Sequence, residues 1–158
     1  MCSSDLKICT GFHPLPKVKE IFDAYRDEAS RIGRKVGPDD LALRRQITID
    51  ASDAKAQELG KSRRVEFQKF IQVDPRVPAP GRQVLDTPSA HAFTIGDDEF
   101  VIGAPHGCAE QIIAQCREIG AGHFLGIFDR GARGAEMARL WKLFGEGVNP
   151  LLRQARIG

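Results

Sequence analysis

One stretch near the carboxyl terminus, residues 120–152, limits what this chain can fold into more than any other. It reads GAGHFLGIFDRGARGAEMARLWKLFGEGVNPLL: an apolar run, a glycine-rich turn and a long amphipathic segment. The apolar run 122–128 is nearly continuous, as expected for a strand covered on both faces. Apolar positions after the turn recur at helical spacing: Met137, Leu140, Trp141, Phe144 and Val148. We therefore predict one strand–helix unit of a parallel α/β protein, with a last helix that Pro150 ends.

Two similar units come earlier in the chain. The first has a strand end at 7–10 and a helix from Pro14 to Ile32, since proline suits a first helical turn. The inward positions of this helix are Val18, Ile21, Phe22, Tyr25, Ala29 and Ile32. The second unit has a strand at 41–49 and a helix after Ser52, a residue type favoured at the N-cap. The inward positions of that helix are Ala56, Leu59, Arg63, Phe67, Phe70 and Ile71.

The strand at 41–49, LALRRQITI, has two different faces. Alternation along a strand places Leu43, Arg45, Ile47 and Ile49 on one face and Arg44, Gln46 and Thr48 on the other. A charged side chain that points into a covered interior must be paired or must meet an anion. Either Arg44 or Arg45 is the inward arginine, depending on which face is covered.

A long segment, about 73–100, interrupts the alternation. It carries Pro75, Pro78, Pro80 and Pro88 and has no sustained period. Insertions of this length are usually lids, binding loops or disordered excursions. After the apolar run 100–103, Pro105 opens a helix that Gly120 caps. Its inward positions are Ala109, Ile112, Ile113, Cys116 and Ile119.

Composition excludes several classes of partner. The 158 residues include 23 basic and 21 acidic side chains, a net charge of +2 that does not favour nucleic acid or an anionic membrane. Neither end reads as a signal peptide and no apolar run approaches the ~20 residues of a membrane span, so a cytoplasmic address is expected. The four cysteines form no CxxC pair and the four histidines lack ligand spacing, so we predict reduced thiols and no structural metal.

The first six residues, MCSSDL, are expected to be foreign to the protein. They match the translation of the end of a common sequencing adapter, with GTG as the start codon. Such scars are excluded from fold reasoning. The domain would then occupy 7–158, and the chain would be the carboxyl-terminal part of a longer protein.

The order of motifs from residue 103 onward resembles the end of the bacterial luciferase-like flavin-dependent monooxygenase family. A Gly-x-Pro turn opens a helix reading Ala-Glu-Gln-Ile, a Gly-x-x-x-Phe follows, and the last helix ends Leu-Phe-x-x-x-Val-x-Pro. The positions are Gly103, Pro105, Ala109–Ile112, Gly120, Phe124, Leu143, Phe144, Val148 and Pro150. The segment from Asp39 to Gly60 is similar to a late strand and helix of the family, so the resemblance covers about 7–157.

The resemblance implies the C-terminal part of a TIM-type (β/α)8 barrel, with about three strand–helix units and a long insertion loop. A complete barrel needs ~250 residues, and much of the family's flavin-binding surface lies in earlier units. The implied protein uses reduced FMN and oxygen to oxygenate a small organic substrate. A separate flavin reductase and a dimeric parent are compatible with it. Two alternatives stay open: a deazaflavin-dependent hydride-transfer oxidoreductase, and a non-catalytic α/β module that binds an anion or a protein.

Candidate site residues follow from barrel architecture, in which functional groups lie at the carboxyl ends of strands. His13 follows the first strand, where a turn histidine bonded to the backbone is the simpler interpretation. Arg44 and Gln46 lie on one face of the second strand. Some relatives carry an arginine and a histidine with this spacing near the flavin, and Gln46 cannot titrate as a histidine does.

The remaining candidates lie in loops. Asp129, Arg130 and Arg133 belong to the glycine-rich turn before a helix N-terminus, which favours anions. Simple exposure of these arginines is the alternative. His91 lies in the long insertion, which would act as a lid that excludes water. Cys108 lies in a first helical turn, where a thiol pKa can fall, but core packing is the preferred interpretation.

Overall fold

The structure is a computed structural model that describes residues 7–72, 96–128 and 131–155. The side chains of 68–72 are outside this description. The predicted adapter residues, most of the insertion with His91, and the turn residues Asp129 and Arg130 also lie outside the described residues.

The described chain alternates strands and helices as the sequence predicts. The strands are β1 (Ile8–Thr10), β2 (Leu41–Ile49), β3 (Phe100–Gly103) and β4 (His123–Ile127). The helices are α1 (Leu15–Arg31), α2 (Asp53–Gln72), α3 (Pro105–Ile119), α4 (Gly134–Leu143) and α5 (Asn149–Gln154), with a π-helical turn, Phe144–Val148, between the last two. The apolar run at 100–103, which the sequence analysis did not assign to an element, forms strand β3.

All the strands run parallel, and β2 is the centre of the sheet. Residues Leu41–Leu43 of β2 pair with β1, while Gln46–Ile49 pair with β3. The partner β4 pairs with Ala42–Gln46. Because Leu43 pairs with both β1 and β4, and Gln46 with both β3 and β4, β4 occupies one edge of β2. Strands β1 and β3 follow one another along the opposite edge.

This strand order places the helices on both faces of the sheet. The connections β1–α1–β2 and β3–α3–β4 move in one direction across the sheet, and β2–α2–β3 moves back. Since such crossovers are right-handed, a reversal of direction puts α2 on the other face. Its Ala56 and Phe67 accordingly pack with Phe100 and Ile102, whereas α1 and α3 pack on the face of Leu43 and Ile47.

The main core lies between β2 and the pair α1 and α3. Its buried members include Val18, Phe22, Leu41, Leu43, Ile47, Ile49, Ile112, Cys116 and Ile119. Helix boundaries follow local signals: Pro14 precedes α1, Pro105 begins α3, and Gly120 ends α3 with φ 68° in the left-handed region that glycine tolerates. The predicted N-cap of α2 is confirmed, because Ser52 Oγ accepts the Lys55 N–H at 3.3 Å.

Several inward assignments in the helices are wrong. Ile32 lies beyond the end of α1 and is 62% exposed. On α2, Leu59 is exposed and Gly60 faces the sheet instead, where an added Cβ would lie 2.6 Å from Ile102 Cδ1. On α4, Trp141 is 63% exposed. Pro150 does not end the last helix, because it stands in the first turn of α5, where its missing N–H costs nothing.

Within the described residues, the last strand is not covered on both faces as predicted. β4 lies at the edge of the described sheet, and only one of its edges pairs, with β2. Leu125, in register with Arg44, is 50% exposed. The apolar run 122–128 reflects a surface that the described residues leave open.

Candidate functional site

A cavity of about 360 Å³ lies on the α2 face of the sheet, toward the carboxyl ends of β2 and β4. Gln46 and Thr48 of β2 line it, together with Phe100 of β3, which is in register with Gln46. Helix α2 contributes Arg63, Glu66 and Phe67, and β4 and its turn contribute Ile127, Phe128 and Gly131. Its volume falls within the range of ligand pockets, and the carboxyl ends of parallel strands are where ligands bind in α/β folds.

The polar group on the β2 wall of this cavity is the Gln46 side chain. Its Nε2 atom is buried and has no hydrogen-bond partner among the described residues. A buried amide donor without a partner costs about 1–3 kcal/mol, so native structures rarely leave one. The predicted alternation brings Gln46 to this face, two residues from Thr48, whose side chain is buried as well.

The predicted arginine of this face, Arg44, is paired within the chain. Its Nη2 lies 2.8 Å from Glu99 Oε1, and its guanidinium carbon lies 3.4 Å from the centre of the Phe12 ring. Cation–π stacking and a buried carboxylate together fix this side chain. The sequence requires an inward arginine either to be paired within the chain or to meet an anion. Arg44 is paired within the chain, with Glu99.

Glu99 joins the two faces of β2. It lies just before β3, where β1 has ended and the shared edge of β2 is open, and its carboxylate is fully buried. Arg44 reaches it from the cavity face and Arg45 from the core face, with Arg45 Nη1 at 3.1 Å from Oε2. The Phe12 N–H donates to the same Oε2 at 2.9 Å. Burial raises the pKa of the Glu99 carboxyl, while the two guanidinium charges and the Phe12 N–H act in the opposite direction.

Arg45 is fully buried and donates in several directions. Besides Glu99, its guanidinium donates to Gln115 Oε1 at 2.8 Å and to the His13 carbonyl at 3.3 Å. Asp98 Oδ2 lies 3.5 Å from its Nη2 and also accepts the Leu15 N–H. These bonds satisfy the donors of a charge held away from water, which is the condition under which a buried arginine is tolerated.

The turn after β1 holds a strained residue, Phe12, beside Arg44 and Phe67. Phe12 has φ 65°, in the left-handed region that bulky side chains rarely occupy. Its ring stacks on Phe67 at 5.8 Å between centroids and lies under Arg44. Gly11 permits the turn, because an added Cβ would lie 3.0 Å from Arg44 Cβ. Strain of this kind concentrates at functional sites.

Charged groups also surround the carboxyl end of β2 beyond the cavity. Asp50 Oδ2 accepts a hydrogen bond from Arg139 Nη1 of α4 at 3.0 Å. Burial acts to raise the pKa of Asp50, but Arg139 and the backbone N–H groups of Ser52 and Ala51 outweigh it and hold that pKa below 3.8. Asp53 Oδ1 accepts the Ala104 N–H at 2.7 Å and so links α2 to the start of α3.

The other sequence candidates are spread out. His13 lies in the turn after β1 and contributes its carbonyl to Arg45. Arg133 is exposed before α4, and its Nη1 donates to the neighbouring Ala132 carbonyl at 3.1 Å. Cys108 is packed in the core, and burial raises the pKa of its thiol to about 12, which agrees with the packing interpretation.

Sequence reasoning missed Phe12, Glu99 and the position of Glu66 at the cavity, whereas it placed Arg63 correctly on the inward side of α2. Glu99 was counted within the insertion, although it directly precedes an apolar run that forms β3. A carboxylate at the start of such a run, with two consecutive arginines elsewhere in a strand, is a signal for a buried pair. Phe12 carries no local signal, because its partners Arg44, Phe67 and Glu99 all lie far from it in the chain.

The fold and site define a class of protein, a parallel α/β protein with a cavity at the carboxyl end of its sheet. Three solved enzymes share the fold. Over 91% of the chain it matches 40% of the monooxygenase RslO1 of Streptomyces bottropensis, with a TM-score of 0.65 and 19% identity. Over 90% it matches 42% of a type II Baeyer-Villiger monooxygenase, the oxygenating constituent of 3,6-diketocamphane monooxygenase of Pseudomonas putida, in complex with FMN (TM-score 0.62, 18% identity).

The third is a riboflavin lyase, RcaE, with modified FMN and the substrate riboflavin. Over 97% of the chain it matches 39% of that enzyme, with a TM-score of 0.61 and 20% identity. The chain thus spans about two fifths of the length of these solved structures. The predicted resemblance to luciferase-like flavin monooxygenases is confirmed at the level of the fold.

Sequence comparison adds no closer assignment. No protein-family model matches the chain, and no curated protein matches it. Within 7–72, 96–128 and 131–155, no cluster of three or more His, Cys, Asp or Glu side chains could hold a metal ion. None of the helices in the described part of the chain is long and apolar enough to cross a membrane.

Proposed function

We propose that this chain is the carboxyl-terminal part of a TIM-type barrel, and that the whole protein is a flavin-dependent monooxygenase of the luciferase-like type. The observation that carries the proposal is the extent of the match. Nine tenths or more of the chain matches about two fifths of three enzymes whose names refer to monooxygenase or flavin chemistry. A barrel of ~250 residues or more leaves room for the strand–helix units that such a match does not cover.

The location of the cavity supports the same proposal. Barrel enzymes place their active sites at the carboxyl ends of the strands, and the cavity lies at that end of β2 and β4. Strand β4 contributes to its lining, and the edge of β4 that does not pair with β2 would pair with further strands in a closed sheet. The exposed Leu125 fits a strand that closes a barrel with segments outside this chain.

The residues of the cavity suit a flavin ring. Phe67, Phe100 and Phe128 provide aromatic surface, and the Gln46 amide provides a donor at the β2 wall. When bound, reduced FMN would supply the activation of oxygen, and the protein would orient the ring and exclude water. Arg44 and Glu99 would hold the neighbouring wall in place. His91 and the insertion remain candidates for a lid, and His13, Asp129, Arg130 and Arg133 remain candidates for contacts with cofactor or substrate.

The proposal extends to the partners of the whole protein. Its substrate would be a small organic molecule, its reduced flavin would come from a separate reductase, and it would act in the cytoplasm as a dimer. A deazaflavin-dependent hydride transfer is the alternative within the same fold. A non-catalytic α/β module is the alternative from another class.

Titration with FMN tests the proposal. The 158-residue chain and a polypeptide extended upstream in its native reading frame would each be titrated while flavin fluorescence is read. We expect tight binding only by the extended polypeptide, because the site would span both parts. Binding of a deazaflavin without FMN would favour the hydride-transfer alternative. Failure of both flavins to bind the extended polypeptide would refute the proposal.

A further inference from the structure

A second cavity, of about 310 Å³, lies between the start of α3, helix α4 and the π-helical turn. It shares no lining residue with the cavity on the α2 face of the sheet, and its lining consists of Pro105, Arg139, Lys142, Leu143, Glu146 and Gly147. Its volume is at the lower end of the range of ligand pockets, which suits a small molecule. We propose that this α3–α4 cavity binds a zwitterionic amino acid with an apolar side chain. The proposal goes beyond the proposed function and does not rest on it.

The side chains of Lys142 and Glu146 carry the first part of the argument. They stand four positions apart, the spacing at which opposite charges lie together on the surface of a regular α-helix. Here α4 changes into a π-helical turn at Phe144, and neither side chain forms an ion pair within 7–72, 96–128 and 131–155. Both charges line the cavity instead. Single π-helical turns of this kind are frequent at functional sites.

Arg139 adds a second cation on the same face of α4, three positions before Lys142. Asp50 holds this arginine in place, because Arg139 Nη1 donates to Asp50 Oδ2 at 3.0 Å. The Nε and Nη2 atoms of the guanidinium make no hydrogen bond to any other residue in the described part of the chain. A guanidinium binds a carboxylate through two parallel N–H donors, so a ligand carboxylate fits between Arg139 and Lys142.

The balance of charge selects a zwitterion over a simple anion. The pair of Arg139 with Asp50 is neutral as a unit, so Lys142 and Glu146 set the remaining charge of the lining. A ligand with a carboxylate alone would bring a second negative charge toward Glu146, and like charges at close range repel. A ligand with an ammonium group as well places that group at Glu146 and satisfies both sides of the cavity.

The rest of the lining is apolar and selects the ligand's side chain. Pro105 and Leu143 are half-buried and face the cavity. Gly147 closes one end, because its backbone packs so closely on α3 that an added Cβ would lie 2.5 Å from Pro105 Cβ. An apolar side chain placed against Pro105 and Leu143 gains free energy in proportion to the area that it removes from water.

Three probes separate the two charged groups of the ligand. Leucine carries both, N-acetylleucine lacks the ammonium group, and leucinamide lacks the carboxylate. Binding to the 158-residue chain would be measured by saturation-transfer difference NMR. We expect leucine to bind roughly 2–5-fold more tightly than either analogue, the ratio that one exposed ion pair gives. The affinity for leucine should fall as salt is added, because exposed charges are screened.

Two substitutions assign the charges to their partners. Glu146→Gln should abolish the preference for leucine over N-acetylleucine, and Lys142→Gln should reduce the preference for leucine over leucinamide. The matched controls are Glu136→Gln in the first turn of α4 and Lys55→Gln on α2, both exposed and outside the lining. They should leave all three affinities unchanged, and circular dichroism checks that every variant keeps the fold.

Several results would overturn the inference. One is the absence of leucine binding to the folded chain, and another is N-acetylleucine that binds as tightly as leucine. Acetate that displaces leucine at equal concentration would show a simple anion site instead. A preference for leucine over N-acetylleucine that survives Glu146→Gln, or that Glu136→Gln also abolishes, would place the ammonium group elsewhere. The FMN titration is independent of these results, so its failure would remove the proposed function and leave the amino acid site standing.

Discussion

Arg45 and Glu99, which stand 54 positions apart in the chain, form an ion pair with both side chains fully buried and Nη1 at 3.1 Å from Oε2. The same carboxylate receives Arg44 from the opposite face of β2. One acidic side chain thus ties the main core to the wall of the cavity, at the place where β1 ends and β3 begins along one edge of the central strand.

Removing this carboxylate should strongly destabilise the fold. Glu99→Gln leaves Arg45 buried beside a neutral group, and we expect the free energy of unfolding to fall by roughly 3 kcal/mol, as when one partner of a buried pair is lost. The measurement is chemical denaturation followed by circular dichroism. Asp97→Asn is the control, since Asp97 is 94% exposed and pairs with Arg64 at the surface. Equal stability of the two variants would show that Glu99 contributes no more than a surface carboxylate.

The Asp50–Arg139 pair predicts a shift in acid stability. Because the pKa of Asp50 is held below 3.8 in the folded chain, its contribution to stability is present above that pH and is lost as the pH falls through the folded pKa. In Arg139→Gln the Asp50 pKa should rise, so the loss should begin at higher pH. Titration of the Asp50 carboxyl by NMR measures this directly. Lys142→Gln, which removes the same charge elsewhere on α4, should leave the titration nearly unchanged.

Two glycines of the π-helical turn should respond differently to the same substitution. An added Cβ at Gly147 would lie 2.5 Å from Pro105 Cβ, whereas at Gly145 it would meet no atom within 4 Å. We expect Gly147→Ala to destabilise the chain by about 1–3 kcal/mol through overpacking against a rigid ring. Gly145→Ala should be neutral or stabilising by up to ~1 kcal/mol, because alanine favours helix. Thermal unfolding of the pair checks this, and a loss in both variants would argue that the turn itself requires glycine.

The open face of β4 should make the isolated chain self-associate. Leu125 is a half-exposed apolar side chain on β4. One edge of β4 has no partner strand among the described residues, and an unpaired edge can pair with another chain. Leu125→Lys should reduce association and raise solubility without lowering the unfolding midpoint. Sedimentation velocity on the chain and the variant measures the effect, and Glu118→Lys on exposed α3 surface controls for added positive charge. A chain that is already monodisperse and unfolds cooperatively would contradict the interpretation of β4 as an uncovered strand.

The sequence by itself determined the local elements. Alternation in LALRRQITI set both the bounds of β2 and the two faces that carry Arg44 and Arg45. Prolines at 14 and 105 and the glycine at 120 set the starts of α1 and α3 and the end of α3. These features are readable because they depend on neighbours within a few residues: the period of a strand, a missing N–H, or a left-handed φ.

Only the tertiary structure decided how these elements share space. The placement of β3 in line with β1 reverses the path of the chain, sends α2 to the cavity face, and brings Glu99 between two arginines. It also decided that Gly60 rather than Leu59 faces the sheet and that β4 stays open on one side. Such outcomes depend on contacts between residues far apart in the chain, whose burial and pairing no local pattern specifies.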